Sequence, residues 1–203
     1  MRTTHPSQII SAILLRLRHH AGLFIILLVG IIFLTPTHSA QAYSYLGHKW
    51  SNSQAGFYLD IAGWDPALIQ GPASTWNNAG SPFRFKLLGN NVYKPGDRLN
   101  TVARYVINSP KLAITNYRWD GSGNLTEADT IFNMNYGWGC CGESDLYDVK
   151  NTMTHEFGHW LVLDDLYSWT WDRNKTMYAS SVPGETKKRT LETDDINGIN
   201  YIY

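Results

Sequence analysis

Alternation of apolar and polar side chains marks the first folded stretch of the chain. Between residues 56 and 63, Phe57, Leu59 and Ile61 alternate with Tyr58 and Asp60, the two-residue period of a half-buried strand. Asp65-Pro66 then predicts a helix over 67–79, with Asp as the cap and Pro at the first helical position. Gly71-Pro72 is expected to kink or split that helix. Phe83, Phe85 and Leu87 against Arg84 and Lys86 give a second strand, and weaker strand patterns lie at 102–107, 111–117 and 129–134. Gly89-Asn90-Asn91 and residues 120–124 read as loops. The period then changes to steps of three and four, through Leu146, Val149, Met153, Phe157 and Trp160 or Leu161. This is an amphipathic helix, expected to start near Ser144 or Asp145. A last helical stripe of Ile196, Ile199 and Ile202 or Tyr203 follows Thr193, its expected cap, and the acids Asp194 and Asp195.

Ahead of these elements lies a run of 14 apolar residues, 21–34, preceded by Arg16, Arg18, His19 and His20. A membrane span needs about 20 residues, so the run suits the apolar core of a signal peptide. Its n-region would be 1–20, and Ala40-Gln41-Ala42 offers a cleavage site near 42/43. Export is therefore expected, with a second domain-length segment, 43–203, as the mature protein. An uncleaved signal anchor is the alternative, and membrane association is expected only in that case.

Charge narrows the field. The first 42 residues hold three arginines and no acid, so residues 43–203 carry 14 basic and 17 acidic side chains. No basic stripe is present, which excludes a nucleic-acid partner. The only cysteines are the neighbours Cys140 and Cys141. Adjacent cysteines bridge only through a strained eight-membered ring. Two thiols in a tight turn are expected, with a labile vicinal disulfide or a metal-directed thiolate as the alternatives.

The candidate chemistry sits on the central helix, in His155-Glu156-Phe157-Gly158-His159. Four residues advance about 400° and about 6 Å, so the two imidazoles leave one face a turn apart and can share a zinc ion. That side lies away from the Met153–Phe157 packing stripe. Glu156 falls beside them, where it can take a proton from a zinc-bound water. A catalytic zinc wants a third protein ligand. An uninterrupted helix would carry Asp165 about 9 Å beyond His159, so the chain must turn back after about Leu161 for Asp165 to reach the metal.

The stretch His155-Glu156-x-x-His159-x-x-Val162-x-x-Asp165 resembles the extended motif of the metzincin metallopeptidases. The resemblance implies His155, His159 and Asp165 as zinc ligands and Glu156 as the general base. Thr176-Met177-Tyr178 resembles the Met-turn of that family, giving Met177 the place beneath the zinc. The tail from Leu191 to Tyr203 looks like the closing helix of the matrixin branch, and Thr75-Trp76-Asn77-Asn78-Ala79 like its first helix. The implied fold is α+β, with a twisted mixed sheet of about five strands and three helices. Two departures stand out. Val162 occupies the turn position where the family has glycine, and positive φ is costliest for a β-branched residue. Asp164 therefore stays open as a competing ligand. No room exists between Ala42 and the first strand for the family's cysteine-bearing propeptide, so latency by that route is not expected.

The reaction implied is peptide-bond hydrolysis by Glu-assisted attack of zinc-bound water, on protein or peptide substrates and by a monomer. Residues 129–134 are the candidate edge strand for an extended substrate. A structural calcium ion has candidate loops at 120–124 and 143–148 but no fixed ligands, and Tyr178 is not assigned to the metal. The rival is a secreted or signal-anchored zinc-binding interaction module without significant turnover, which the presence of Glu156 disfavours.

Overall fold

A computed structural model describes residues 44–203; the expected signal peptide and its cleavage site lie outside the described residues. The elements are β1 (Gln54–Asp60), α1 (Ala67–Asn77), β2 (Arg84–Asn90), β3 (Thr101–Tyr105), β4 (Ala113–Trp119), β5 (Leu125–Asn133), β6 (Trp138–Gly139), β7 (Tyr147–Asp148), α2 (Val149–Trp160) and α3 (Thr193–Ile202), with a 3-10 turn at Lys187–Arg189. A five-stranded sheet runs β2-β1-β3-β5-β4. Its β1–β2, β1–β3 and β3–β5 pairs are parallel, and β4 is antiparallel to β5. This is the mixed sheet with three helices that the family resemblance implies.

Helix α2 packs on the sheet through the stripe that its sequence predicts. Phe157 meets Phe57 of β1 at 5.4 Å and Phe85 of β2 at 4.3 Å between ring centroids. The indole N–H groups that such a core would otherwise strand are all satisfied. Trp76 of α1 donates to the Thr154 carbonyl, Trp50 to the Trp160 carbonyl and Trp160 to Thr130 Oγ1, each at 2.8 Å. These bonds lock α1, the N-terminal segment and β5 onto one helix, since a buried unpaired N–H costs about 1–3 kcal/mol.

Several expectations are corrected. Helix α1 is continuous through Pro72 at its middle: the proline removes one backbone hydrogen bond, and burial along Ile69, Pro72, Ala73 and Trp76 holds the helix together across it. Helix α2 starts at Val149 rather than near Ser144 or Asp145. Tyr147 and Asp148 pair instead with Trp138 and Gly139, and Asp148 becomes the cap by accepting the Asn151 N–H at 2.8 Å. The edges of the sheet are β2 and β4, with β4 the one beside Glu156; the 129–134 stretch lies almost wholly within β5, between β3 and β4. Helix α3 is capped by Glu192 rather than Thr193, in a reciprocal pair with Asp195. Cys140 and Cys141 are joined as a vicinal disulfide, not held as two thiols.

Candidate metal centre

Helix α2 is closed by a turn that the sequence makes look improbable. The Val162 N–H reaches the His159 carbonyl at 2.9 Å and the Leu163 N–H reaches the Gly158 carbonyl at 3.1 Å. These are the two bonds of a Schellman ending, which needs a left-handed residue between them. Val162 takes that conformation, at φ 59°. The cost of roughly 1–2 kcal/mol for an L-residue is offset because the side chain is fully buried, worth about 1.5–3 kcal/mol. The turn sends the chain back along the helix and brings Asp165 to the histidines.

Asp165 Oδ1 lies 3.2 Å from His155 Nε2 and 3.6 Å from His159 Nε2. The other ring nitrogens fix the proton positions. His155 Nδ1 faces the Thr176 carbonyl and His159 Nδ1 the Leu163 carbonyl, both at 2.8 Å. A carbonyl only accepts, so each Nδ1 carries hydrogen and each Nε2 presents a lone pair. Asp165 Oδ1 is buried and without a hydrogen-bond partner. Three electron-pair donors within 4.8 Å of one another repel unless a cation shares them, and two imidazoles with a carboxylate suit zinc. The residues present therefore fit the metal. Burial opposes charge on both His159 and Asp165. Yet contacts to His155 and His159 hold the Asp165 carboxyl well below the ordinary range, while Asp165 and Glu156 push His159 upward.

Asp164, the competing ligand, instead accepts the Asp165 N–H at 2.9 Å. Met177 is buried beneath the site, with its sulfur against Gly158 of α2: a Cβ built there would lie 2.1 Å from it. The Thr176-Met177 turn is tied to α3 by Asp195, which accepts the N–H groups of both Thr176, at 3.1 Å, and Glu192, at 2.8 Å. Tyr178 faces Trp169 and Lys188 rather than the histidines. Of the calcium candidates, Asp120 is engaged by the N–H groups of Ser122 and Asn124. Asp148 is engaged by Asn151 and Arg189. Among the described residues, the only other cluster of His, Cys and acidic groups is Cys140, Cys141 and Glu143, whose sulfurs are spent in the disulfide, and neither loop gathers a set of carboxylates for calcium.

One site residue escaped the sequence reading. Thr115 of β4 donates to Glu156 Oε2 at 2.6 Å. Its hydroxyl lies 2.7 Å from that of Thr130, which in turn accepts from Trp160 Nε1. Thr115 gives its one hydrogen to the carboxylate and must accept from Thr130, so the hydrogens run one way: Trp160 to Thr130, Thr130 to Thr115, Thr115 to Glu156. The Thr115–Glu156 pair spans 41 positions, and no local signal announces it. Around these groups opens a cleft of about 480 Å³, walled by residues 110–115 on one side and by Ala179, Ser180 and Ser181 on the other.

The matrixin (peptidase M10) family model matches residues 111–203, the part of the chain that carries every residue of this site. No curated protein matches the sequence. Among solved structures, myroilysin is similar with a TM-score of 0.45 and 13% identity, covering 76% of this chain and 82% of that one. High choriolytic enzyme 1, a hatching enzyme zinc-protease from the medaka fish Oryzias latipes, is similar with a TM-score of 0.42 and 12% identity over 80% of this chain and 94% of that one. Family match and donor set agree: residues 111–203 match the matrixin family and carry the donor set of a zinc metalloendopeptidase.

Proposed function

We propose that the mature chain is an exported endopeptidase in which Glu156 handles the protons of peptide hydrolysis. Zinc held by His155, His159 and Asp165 would supply Lewis acidity, polarising the scissile carbonyl and acidifying a water. Glu156 takes the proton of that attacking water and returns it to the leaving amine. Thr115 holds the carboxylate in place from the sheet side, and Met177 supports the helix from below. An extended substrate adds to the free edge of β4, through main-chain bonds that require no particular sequence. All of these residues come from one chain, so a monomer suffices. The apolar run at 21–34 and Ala40-Gln41-Ala42 support export, and an N-terminus at Tyr43 in the exported protein is the expected mass-spectrometric result.

The observation that carries the proposal is that Glu156 and the three candidate ligands open into one cleft. Wild type and Glu156→Ala are compared on an unstructured protein substrate, with and without a zinc chelator. Loss of cleavage in the variant and under chelation is expected; equal cleavage by both proteins sinks the assignment. Zinc content separates the two aspartates: Asp165→Ala loses metal, and Asp164→Ala keeps it.

A further inference from the structure

Lys188 is among the most buried side chains of the chain, 2% exposed, although it sits in the run Lys187-Lys188-Arg189, which reads as surface. Its backbone N–H donates to Asn151 Oδ1 at 2.8 Å, fastening the 3-10 turn to α2. Its ammonium donates to the carbonyls of Tyr178 and Ser180. Both partners are neutral. The neighbouring acid, Glu185, pairs with Lys187 at 3.3 Å, and among the described residues Lys188 forms no ion pair. An ammonium has three N–H donors, and the two carbonyls take two of them. Burial pulls the group down to about 8, which leaves it mostly charged at neutral pH. Lys188 also lines the cleft that holds Glu156 and the candidate zinc ligands, and both Glu156 and Asp165 feel its charge. Glu185 acts on that charge more strongly than either, but none of the three carboxylates pairs with the ammonium. A buried cation without a contacting anion is costly and is stabilised by an anion that enters the cleft and reaches it.

We infer that Lys188 is a specificity residue that receives a carboxylate side chain, Asp or Glu, from the substrate next to the bond that is cut. The inference rests on the proposed peptidase activity. The rest of the pocket suits such a guest: Thr152 and Ser180 line it, and their hydroxyls can bond the carboxylate oxygen that the ammonium leaves free, whereas Ser181 gives its hydrogen to Glu185 at 3.3 Å. A charge-assisted hydrogen bond in a desolvated site corresponds to about a tenfold to hundredfold preference.

The test digests a proteome-derived peptide library with the zinc-loaded protein and aligns the cut sites by mass spectrometry. Matched peptides carrying Asp or Asn at the enriched position are then compared by kcat/KM. Wild type is expected to favour Asp by at least about tenfold. Lys188→Arg should keep the preference, and Lys188→Met should bring the ratio toward one. Cleavage with no acidic enrichment, or with Asn cut as fast as Asp, overturns the assignment while leaving the peptidase reading intact. Absence of any cleavage by zinc-loaded wild type defeats both. If Lys188→Met does not fold, the wild-type ratio and that of Lys188→Arg still decide. A ratio that persists in a folded, zinc-bound Lys188→Met shows that another group reads the acid and also overturns the assignment.

Discussion

Gly158→Ala tests the contact between the zinc-motif helix and the Met-turn. In the interior of a helix, replacing Gly by Ala ordinarily stabilises by about 0.8–1 kcal/mol. At position 158 the new methyl would lie 2.1 Å from Met177 Sδ, 3.0 Å from its Cε and 3.3 Å from Trp76 Cζ2. Met177 is flexible in principle, but at 2% exposed it cannot swing out into solvent. Overpacking of this kind costs about 1–3 kcal/mol, which outweighs the propensity gain and leaves a net loss of about 0–2 kcal/mol. The displacement also reaches the metal site, because the residue before Met177 supplies the carbonyl that orients His155. Urea unfolding of the metal-free proteins gives the stability difference, and competition with a chromophoric chelator gives zinc affinity. The expected pair of results is a lower midpoint and weaker zinc binding. A variant about 1 kcal/mol more stable than wild type, with unchanged affinity, refutes the close-contact account.

Further substitutions probe other parts of the site. Thr115→Val removes the donor to Glu156 while keeping the shape of a β-branched strand residue; kcat should fall about tenfold to hundredfold with zinc content unchanged, measured by steady-state kinetics and metal analysis. Arg189→Met strands the buried Asp148 carboxylate, which Arg189 pairs with while also donating to the Cys140 carbonyl at 2.7 Å; a loss of about 2–3 kcal/mol is expected in chemical denaturation. Burial and the hydrogen bond to Glu127 push Asp129 up to about 8. The folded chain thus keeps a proton that the unfolded chain releases above about pH 4. Stability should fall as pH rises from about 4 to about 8, with a slope of up to about 1.4 kcal/mol per unit from this group. Asp129→Asn should flatten that slope in denaturation series across the range.

The parts of this protein that were legible in its sequence are those decided by neighbours along the chain. Alternation in β1 and β2 and the three-four stripe of α2 follow from which face must leave water, and the structure keeps both. The spacing of His155, Glu156 and His159 likewise needs nothing beyond helix geometry. What escaped is non-local. The start of α2 depends on whether Tyr147 finds Trp138 as a strand partner. The identity of the edge strand depends on sheet order, which β4 and β5 do not reveal separately. Val162 shows a local preference losing to burial: its torsion is unfavourable, yet the core rewards its side chain more than the turn penalises it. Lys188 is the opposite case, a residue whose type suggests solvent and whose fold position hides it.

The hydrogen bonds that orient the site have a consequence for protein engineering. His155 is aimed by a carbonyl 21 positions downstream, and Glu156 by a hydroxyl 41 positions upstream. His159 is aimed by the carbonyl of Leu163, and therefore by the left-handed turn at Val162. The twelve residues from 154 to 165 are thus not a portable cassette. Grafted onto an unrelated helix, they would carry the donor atoms but not the tautomers, and the glutamate would be free to rotate. A working transplant must bring β4, the Thr176-Met177 turn and the helix-ending turn as one unit, and its success can be scored by zinc affinity before any activity is sought.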